Sequence, residues 1–295
     1  DNFRQETLYL KQAQWIAIGL VLMGVIVCFD YRFICRFAYV IYAVSVFLLV
    51  LVALYGYATH GSQRWIILGG FFFQPSELVK LSIIIALAKY FDDHIIERSY
   101  KLRELYVPFF IVVIPFLFIL KQPDLGTAVI LMFIILSMTF FIGIEWKSLF
   151  LACTGGIILI PLSWLFLRDY QKERIMTFFN PENDPLGAGY HILQSIIAVG
   201  SGGIFGKGYM KGTQTQLKFL PVQQTDFVFS VFAEEWGFIG GVILVAMFLT
   251  LILWCLKIAL HSRDLLGMLM SFGITMLVFW EVFINVGMVL GMLPV

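Results

Sequence analysis

The chain has 295 residues, of which 60% are hydrophobic and 13% are charged, against roughly 25% charged in an ordinary soluble domain. That leaves too little polar surface to clothe a water-soluble globule, so disordered, collagen-like and soluble α/β chains are excluded. Twenty basic and 19 acidic residues give a net charge of +1, so no basic field exists to attract nucleic acid.

A membrane-crossing helix needs about 20 mostly apolar residues. Eight stretches qualify: 13–29, 37–56, 75–91, 106–120, 127–145, 148–167, 227–259 and 265–292. Their lengths predict an all-α integral membrane protein, a multi-span helical bundle, because barrel strands would be about ten residues long with alternating polarity. The N-terminal DNFRQETLYLKQ is polar and lacks the layout of a signal peptide. The 33 residues of 227–259 would reach about 50 Å at about 1.5 Å per residue. This run is expected to stand above the hydrocarbon or to bend near Gly237, Gly240 and Gly241. Cys28, Cys35, Cys153 and Cys255 lie beside apolar runs and read as small apolar fillers, without zinc spacing or a disulfide framework.

Loop charges set the expected orientation. One set of short loops and helix ends carries Arg32, Arg36, Lys89, Arg98, Lys101, Arg103, Lys147, Lys257 and Arg263, nine basic residues, while the alternate set carries only Arg64 and Lys121. The nine-charge side is expected in the cytoplasm, which puts the 59-residue connection 168–226 outside. Within it Ile192, Leu193, Ile196 and Ile197 form a helical stripe, expected as an amphipathic helix on the membrane surface. Asn183-Asp184-Pro185 marks a turn and a helix start.

Charged residues inside a span are costly and usually face a partner or a wet cavity. Glu77 and Lys80 stand three apart, on one helix face. They read either as a self-neutralising pair or as the polar lining of a substrate cavity with Arg64, Gln74 and Pro75 upstream. Lys121-Gln122-Pro123-Asp124 is expected on the same membrane face. Glu281, in the last run, stands alone and reads as an interhelical hydrogen bond. The run Gly200-Ser201-Gly202-Gly203 with Gly206-Lys207-Gly208 fails both the P-loop and the dinucleotide spacing. It reads as a flexible turn, or as glycine amides beside Lys207, Lys211 and Lys218 that hold a phosphorylated ligand. Asp226 stands at the mouth of the long helix, where Thr225 or Asp226 also suits a helix cap. Glu234 and Glu235 follow two turns later. The four histidines are far apart without metal spacing, and no GxSxG, HExxH or Cys/His cluster occurs, so any catalysis here is carboxylate chemistry with basic groups nearby.

Taken in order, these motifs strongly resemble the SEDS family of bacterial cell-wall proteins (shape, elongation, division and sporulation). Gly61-Ser62-Gln63-Arg64-Trp65-Ile66 with Gln74-Pro75-Ser76-Glu77-Leu78-Val79-Lys80 resembles its first signature, and Gln122-Pro123-Asp124-Leu125-Gly126-Thr127 its second. Asn180-Pro181, Asp184-Pro185, Gly187 to His191 and Gln194-Ser195 resemble its large extracellular loop. Leu220-Pro221 with Thr225-Asp226-Phe227-Val228-Phe229 and Ala233-Glu234-Glu235 is the most diagnostic block, and Asn285-Gly287-Met288 with Gly291-Leu293-Pro294-Val295 resembles the penultimate region. Gly212-Thr213-Gln214 favours the elongation branch over the division branch. Family members carry about ten spans, so the first and last are expected beyond the two ends of this chain. Gln224 stands where many relatives have His, which removes a proton-shuttling role from that position.

The resemblance implies a peptidoglycan glycosyltransferase that polymerises lipid II on the outer membrane face, for elongation and rod shape. Asp226 is the family-matched general base, with Glu234 or Glu235 as the alternative. Arg64, Trp65, Glu77, Lys80, Gln122, Asp124, Lys207, Lys211 and Thr225 are the expected substrate-binding residues. The leaving group is a lipid pyrophosphate whose charge needs Arg or Lys, with room for a divalent cation, Mg or Mn. Paired carboxylates of the glycoside-hydrolase kind are not needed. The implied partners are lipid II, undecaprenyl-pyrophosphoryl glycan and a class B penicillin-binding protein, in the bacterial inner membrane. Two rivals stand beside this reading: a lipid II flippase that uses the Glu77/Lys80 cavity, and a catalytically silent scaffold.

Overall fold

The computed structural model describes residues 2–59, 62–68, 71–95, 99–122, 124–163, 172, 176–177, 187–217 and 226–293. Helix α1 (Asn2–Val27), the short α2 (Tyr31–Arg36) and α3 (Ala38–Tyr55) lead into a small sheet of β1 (Tyr57–Thr59), β2 (Ser62–Leu68) and β3 (Phe71–Phe73). Then come α4 (Pro75–Asp93), a 3-10 turn (Leu102–Leu105), α5 (Tyr106–Lys121), α6 (Leu125–Ile142) and α7 (Trp146–Ser163). The last elements are α8 (Ala188–Ser201), α9 (Thr213–Gln216), α10 (Val228–Leu260) and α11 (Leu265–Val289).

Among the described residues, six of the eight expected spans are helices long and apolar enough to cross a membrane: Tyr9–Val27, Ala38–Tyr55, Leu102–Lys121, Leu125–Ile142, Val228–Leu260 and Leu265–Val289. The stretch 75–91 does form a helix, but α4 carries Glu77, Lys80, Lys89, Asp92 and Asp93, too many charges for a lipid-facing span. It is instead the buried centre of the bundle, packed against α3, α5, α6 and α11. The stretch 148–167 becomes α7, and residues 164–167 lie outside the described set.

Leu49, Ile83, Ile84, Leu87, Leu131, Ile134, Met138 and Leu269 are fully buried where α3, α4, α6 and α11 meet. Gly273 lets α11 approach α4 closely, since a Cβ there would lie 2.5 Å from Ile84 Cγ2. Small residues commonly permit such close approach in membrane bundles. Among the described cysteines, Cys35 is a buried filler, whereas Cys28 is exposed and Cys255 half-buried. Cys35 is buried with its thiol 2.9 Å from the Met270 sulfur, and burial pushes its pKa up to about 11.

The expected spans are helices, and the connection between the second and third of them, residues 57–73, forms an antiparallel sheet in the order β1-β2-β3. Ile66 pairs with Phe73 and Leu68 with Phe71 across one turn, and Thr59 with Ser62 across the other. The sheet bridges the ends of α3 and α4 and presents Arg64 and Trp65 on its central strand.

The long helix bends where expected. Gly237 has φ 67° and ψ −167° inside α10, a region that essentially only glycine occupies. The broken turn is completed by residues 203–208. Lys207 N–H donates to Glu234 O and Gly208 N–H to Glu235 O, while Phe238 N–H donates to Gly203 O and Ile239 N–H to Ile204 O. Backbone groups freed by the break and left unpaired would each cost about 1–3 kcal/mol where buried, and this splice pairs them. The glycine run is thus an ordered splint, which corrects the flexible-turn reading.

Candidate functional site

The two motifs on either side of α4 and α5 converge. Arg64 Nε donates to Gln122 O at 3.2 Å, and its guanidinium lies 3.8 Å from Asp124 Oδ1. Gln74 Nε2 donates to Ser76 Oγ at 2.9 Å and to Asp124 Oδ2 at 3.4 Å. Asp124 is also the N-cap of α6, accepting Thr127 N–H at 3.3 Å and Thr127 Oγ1–H at 2.9 Å. Gln122 donates its side-chain amide to Leu49 O at 3.2 Å. Asp124 and Gln122 are buried, and Arg64 and Trp65 are half-buried. The result is a polar cluster at the shared end of α3, α4 and α6, anchored by charge and by a helix N-terminus.

One turn into α4 lies a charged triad. Lys80, only 4% exposed, donates to Glu77 at 2.8 Å and to Glu281 of α11. Glu281 is therefore no isolated interhelical hydrogen-bonding group, because it forms an ion pair with Lys80. Glu77 is exposed on the open side of the pair.

The second assembly surrounds the head of α10. The helix begins at Val228 with Phe227 as its N-cap and no side-chain cap bond, so a capping role for Asp226 is ruled out. Asp226 is exposed and has no hydrogen-bond or ion-pair partner among the described residues. Phe227, 3% exposed, anchors the turn against Ala198 and Val289. Thr225 and Lys218 lie outside the described residues, as do Pro123, Leu220-Pro221 and the Asn183-Asp184-Pro185 turn.

Lys207 and Glu234 are held inside the protein. The Lys207 ammonium donates to Ser201 Oγ at 2.7 Å, Thr213 Oγ1 at 2.7 Å and Glu234 Oε1 at 2.8 Å, which uses its three N–H groups. Glu234 has no exposed surface and also accepts from Thr213 Oγ1 and Gln214 N–H. Glu234 is closed to a ligand, and Lys207, with its side chain 26% accessible, has its N–H groups already engaged. Lys211 is exposed on the same loop, and Glu235 is half-buried. The amphipathic helix exists as α8, but its buried residues Ile192, Ser195 and Ala198 pack on α10 and α11 and not on lipid. Ser195 Oγ lies 2.8 Å from Ser230 Oγ and from Val289 O. Ile196 and Ile197 of the expected stripe stay exposed.

No group of three His, Cys, Asp or Glu side chains that would hold a resident Mg or Mn gathers among the described residues. Glu77 and Glu281 both pair with the Lys80 ammonium.

The sequence profile of the FtsW/RodA/SpoVE family, described as cell cycle proteins, matches residues 2–295. Peptidoglycan glycosyltransferase MrdB of Escherichia coli (strain K12) is 41% identical over 281 residues, which cover 95% of this chain and 75% of that protein. A chain from a structure described as "Structural coordination of polymerization and crosslinking by a peptidoglycan synthase complex" is similar with a TM-score of 0.80 and 31% identity. That match covers 95% of this chain and 78% of that one. The crystal structure of the rod shape determining protein RodA from Thermus thermophilus is similar with a TM-score of 0.63 and 28% identity, covering 92% of this chain and 72% of that one. The ordered motifs, the helical bundle that joins them and the match over nearly the whole sequence agree: the chain belongs to the FtsW/RodA/SpoVE family of cell cycle proteins.

Proposed function

We propose that this protein is a peptidoglycan glycosyltransferase that polymerises lipid II into β-1,4-linked glycan strands for cell elongation and rod shape. The observation that carries this reading is an exposed carboxylate, Asp226, without a partner among the described residues, at the head of a helix fixed in the bundle. Relatives that bear the glycosyltransferase name support it. The 4-hydroxyl oxygen of the acceptor sugar attacks C1 of the donor sugar, whose α-linked bond to the pyrophosphate oxygen breaks. Undecaprenyl pyrophosphate leaves with the bonding electrons, and Asp226 takes the hydroxyl proton. One displacement inverts C1 and gives the β link.

The pyrophosphate needs cations but no general acid. Arg64 and Lys211 serve that role here, with Trp65, Glu77 and Thr225 completing the substrate surface and Lys80, Gln122 and Asp124 ordering it from within. Lys207, Glu234 and the glycine splint hold the head of α10 in place, and Glu235 remains the alternative base. The nine-to-two basic asymmetry supports a place for residues 168–226 and the site on the outer face of the bacterial inner membrane, where lipid II is displayed. Likeness to a chain of a peptidoglycan synthase complex supports a class B penicillin-binding protein as the transpeptidase partner.

The test is purified protein with labelled lipid II, alone and with that transpeptidase. Glycan strands from the wild type, and their loss in Asp226→Asn, are expected. A wild-type complex that makes none would overturn the reading. Lipid II transport that survives Asp226→Asn but fails without Lys80 would point to a flippase instead.

A further inference from the structure

Lys80 has a carboxylate on its own helix, Glu77, at 2.8 Å. Neutralising its charge needs no second acid, yet Glu281 of α11 also accepts from it. Of the three, only Lys80 is buried, Glu77 opens to the surface and Glu281 is half-buried, so a second carboxylate adds charge to a span without being needed to pair the ammonium. Insertion and charge balance therefore do not account for Glu281.

The place of α11 in the fold does. One side of this helix packs on α4 and α6, and another on α10 and α8. Arg64, Gln74, Asp124 and Lys80 belong to the first group of elements, and Asp226 heads α10 in the second. Registration between the two therefore runs through α11, and Lys80–Glu281 is the charged contact across the α4–α11 joint. The same stretch of α11 is fixed on α6 as well. Trp280 stacks on Phe133 with ring centroids 4.2 Å apart, and its Nε1–H donates to Ser137 Oγ at 2.9 Å. Two turns on, Val289 O accepts from Ser195 Oγ, which meets Ser230 of α10. A continuous chain of contacts leads from Lys80 to the first turn of α10.

We propose that Glu281 is a positioning residue for the transfer reaction. By clamping Lys80 it sets α11, and through it Asp226, in register with the cationic side of the site. The inference rests on the roles of Asp226 and Lys80 given above.

The test uses the full chain with its transpeptidase and labelled lipid II. Glu281→Gln keeps the shape and removes the charge. It should lower kcat by roughly 10- to 10²-fold, the scale of a misplaced reacting group, with KM changed less than about twofold. Glu281→Asp should recover a substantial part of the loss. In a Lys80→Met background the Glu281→Gln change should add less than about twofold, because the clamp is already gone. Where Lys80→Met is too slow to assay, the melting temperatures of the two single variants and the double variant complete the same cycle, and their losses should not add. Unchanged kcat in Glu281→Gln, a rise in KM alone, or additive losses in the cycle would overturn the proposal. A wild-type complex without glycan synthesis would sink the functional reading alone, and the melting cycle would still judge the clamp.

Discussion

Asp226 and Glu234 lie two turns apart at one end of the same helix, and their surroundings assign them opposite duties. Asp226 is exposed, caps nothing and has no partner among the described residues, so Asp226→Asn should leave melting temperature and partner binding unchanged. Strand synthesis should fall by about 10²–10⁴-fold, the usual worth of general-base assistance. Near-normal synthesis would move the role to Glu235. Glu234 is wholly buried and accepts from Lys207, Thr213 and Gln214. Glu234→Ala should therefore cost stability, about 1.5–3 kcal/mol for a hydrogen-bonded charge, read as a lower melting temperature, with activity lost in proportion to the folded fraction. Much of this site is legible in the sequence. The Arg64 and Asp124 motifs announce themselves, and the structure joins them. Glu281 does not, because its partner lies 201 positions away and no periodic signal connects two helices that meet only in the folded bundle. Lys207 misleads for a different reason. Glycines beside a lysine suit a phosphate equally well, and only the packed structure shows them giving room to the backbone of α10.

At the scale of the element, the break in α10 depends on glycine at positions with different tolerance. A Cβ at Gly237 would lie 2.3 Å from Gly206 N and 2.7 Å from Ile204 O, on a backbone with φ +67°. Gly237→Ala should therefore strain the turn, by about 1–3 kcal/mol for a residue forced into that region, and undo the splint of 203–208. At Gly241 the nearest atom would be Phe229 Cζ at 3.7 Å, an ordinary contact, so Gly241→Ala should be neutral or slightly stabilising. Melting temperatures of the two variants in detergent separate the cases, and equal effects would count against the splint. The bend itself is readable, since a 33-residue apolar run is too long for the bilayer and carries three glycines. The sheet is not. β1 and β3 have three residues each, too few for alternation to stand out, and the seven of β2 end in the unbroken apolar run Trp65 to Leu68, so 57–74 reads only as a connection between spans. The centre of the bundle shows the converse. The run 75–91 reads from its apolar spacing as one more span, and what the sequence does not show is that this helix, with its five charges, is buried among its neighbours at the centre of the bundle.

Taken whole, the bundle is fastened to α11 at two levels, by the Lys80–Glu281 clamp within it and by a pin at the beginning of the helix. There Asp264 caps α11 through Gly267 N–H at 3.1 Å, accepts Tyr31 Oη–H at 2.7 Å, and pairs with Arg32 at 2.9 Å. The Tyr31 hydrogen bond, then the Gly267 amide and the Arg32 guanidinium, hold the Asp264 carboxyl below its ordinary 3.8, with burial acting in the opposite direction. The same bond from Asp264 leads in raising the Tyr31 hydroxyl above its ordinary 10.0. The sign of each shift fixes a window. A depressed carboxyl adds stability that is complete above its unfolded value and is lost as pH falls through the folded one. A raised phenol adds stability that is complete below its unfolded value and is lost as pH rises through the folded one. The pin should therefore hold at full strength between about pH 4 and pH 10 and weaken outside those limits. Because Arg32 and Asp264 are partly exposed, with side chains 61% and 26% accessible, salt should weaken the ionic part and leave the Tyr31 bond. Tyr31→Phe should move the acid limb of the melting curve upward, toward the ordinary carboxylate value. Asp264→Asn, which retains an acceptor for Gly267 but has no charge to lose, should remove the pin's share of that limb. Melting temperature against pH for the wild type and both variants makes the measurement, and identical acid limbs in all three would show that Asp264 does not fasten α2 to α11.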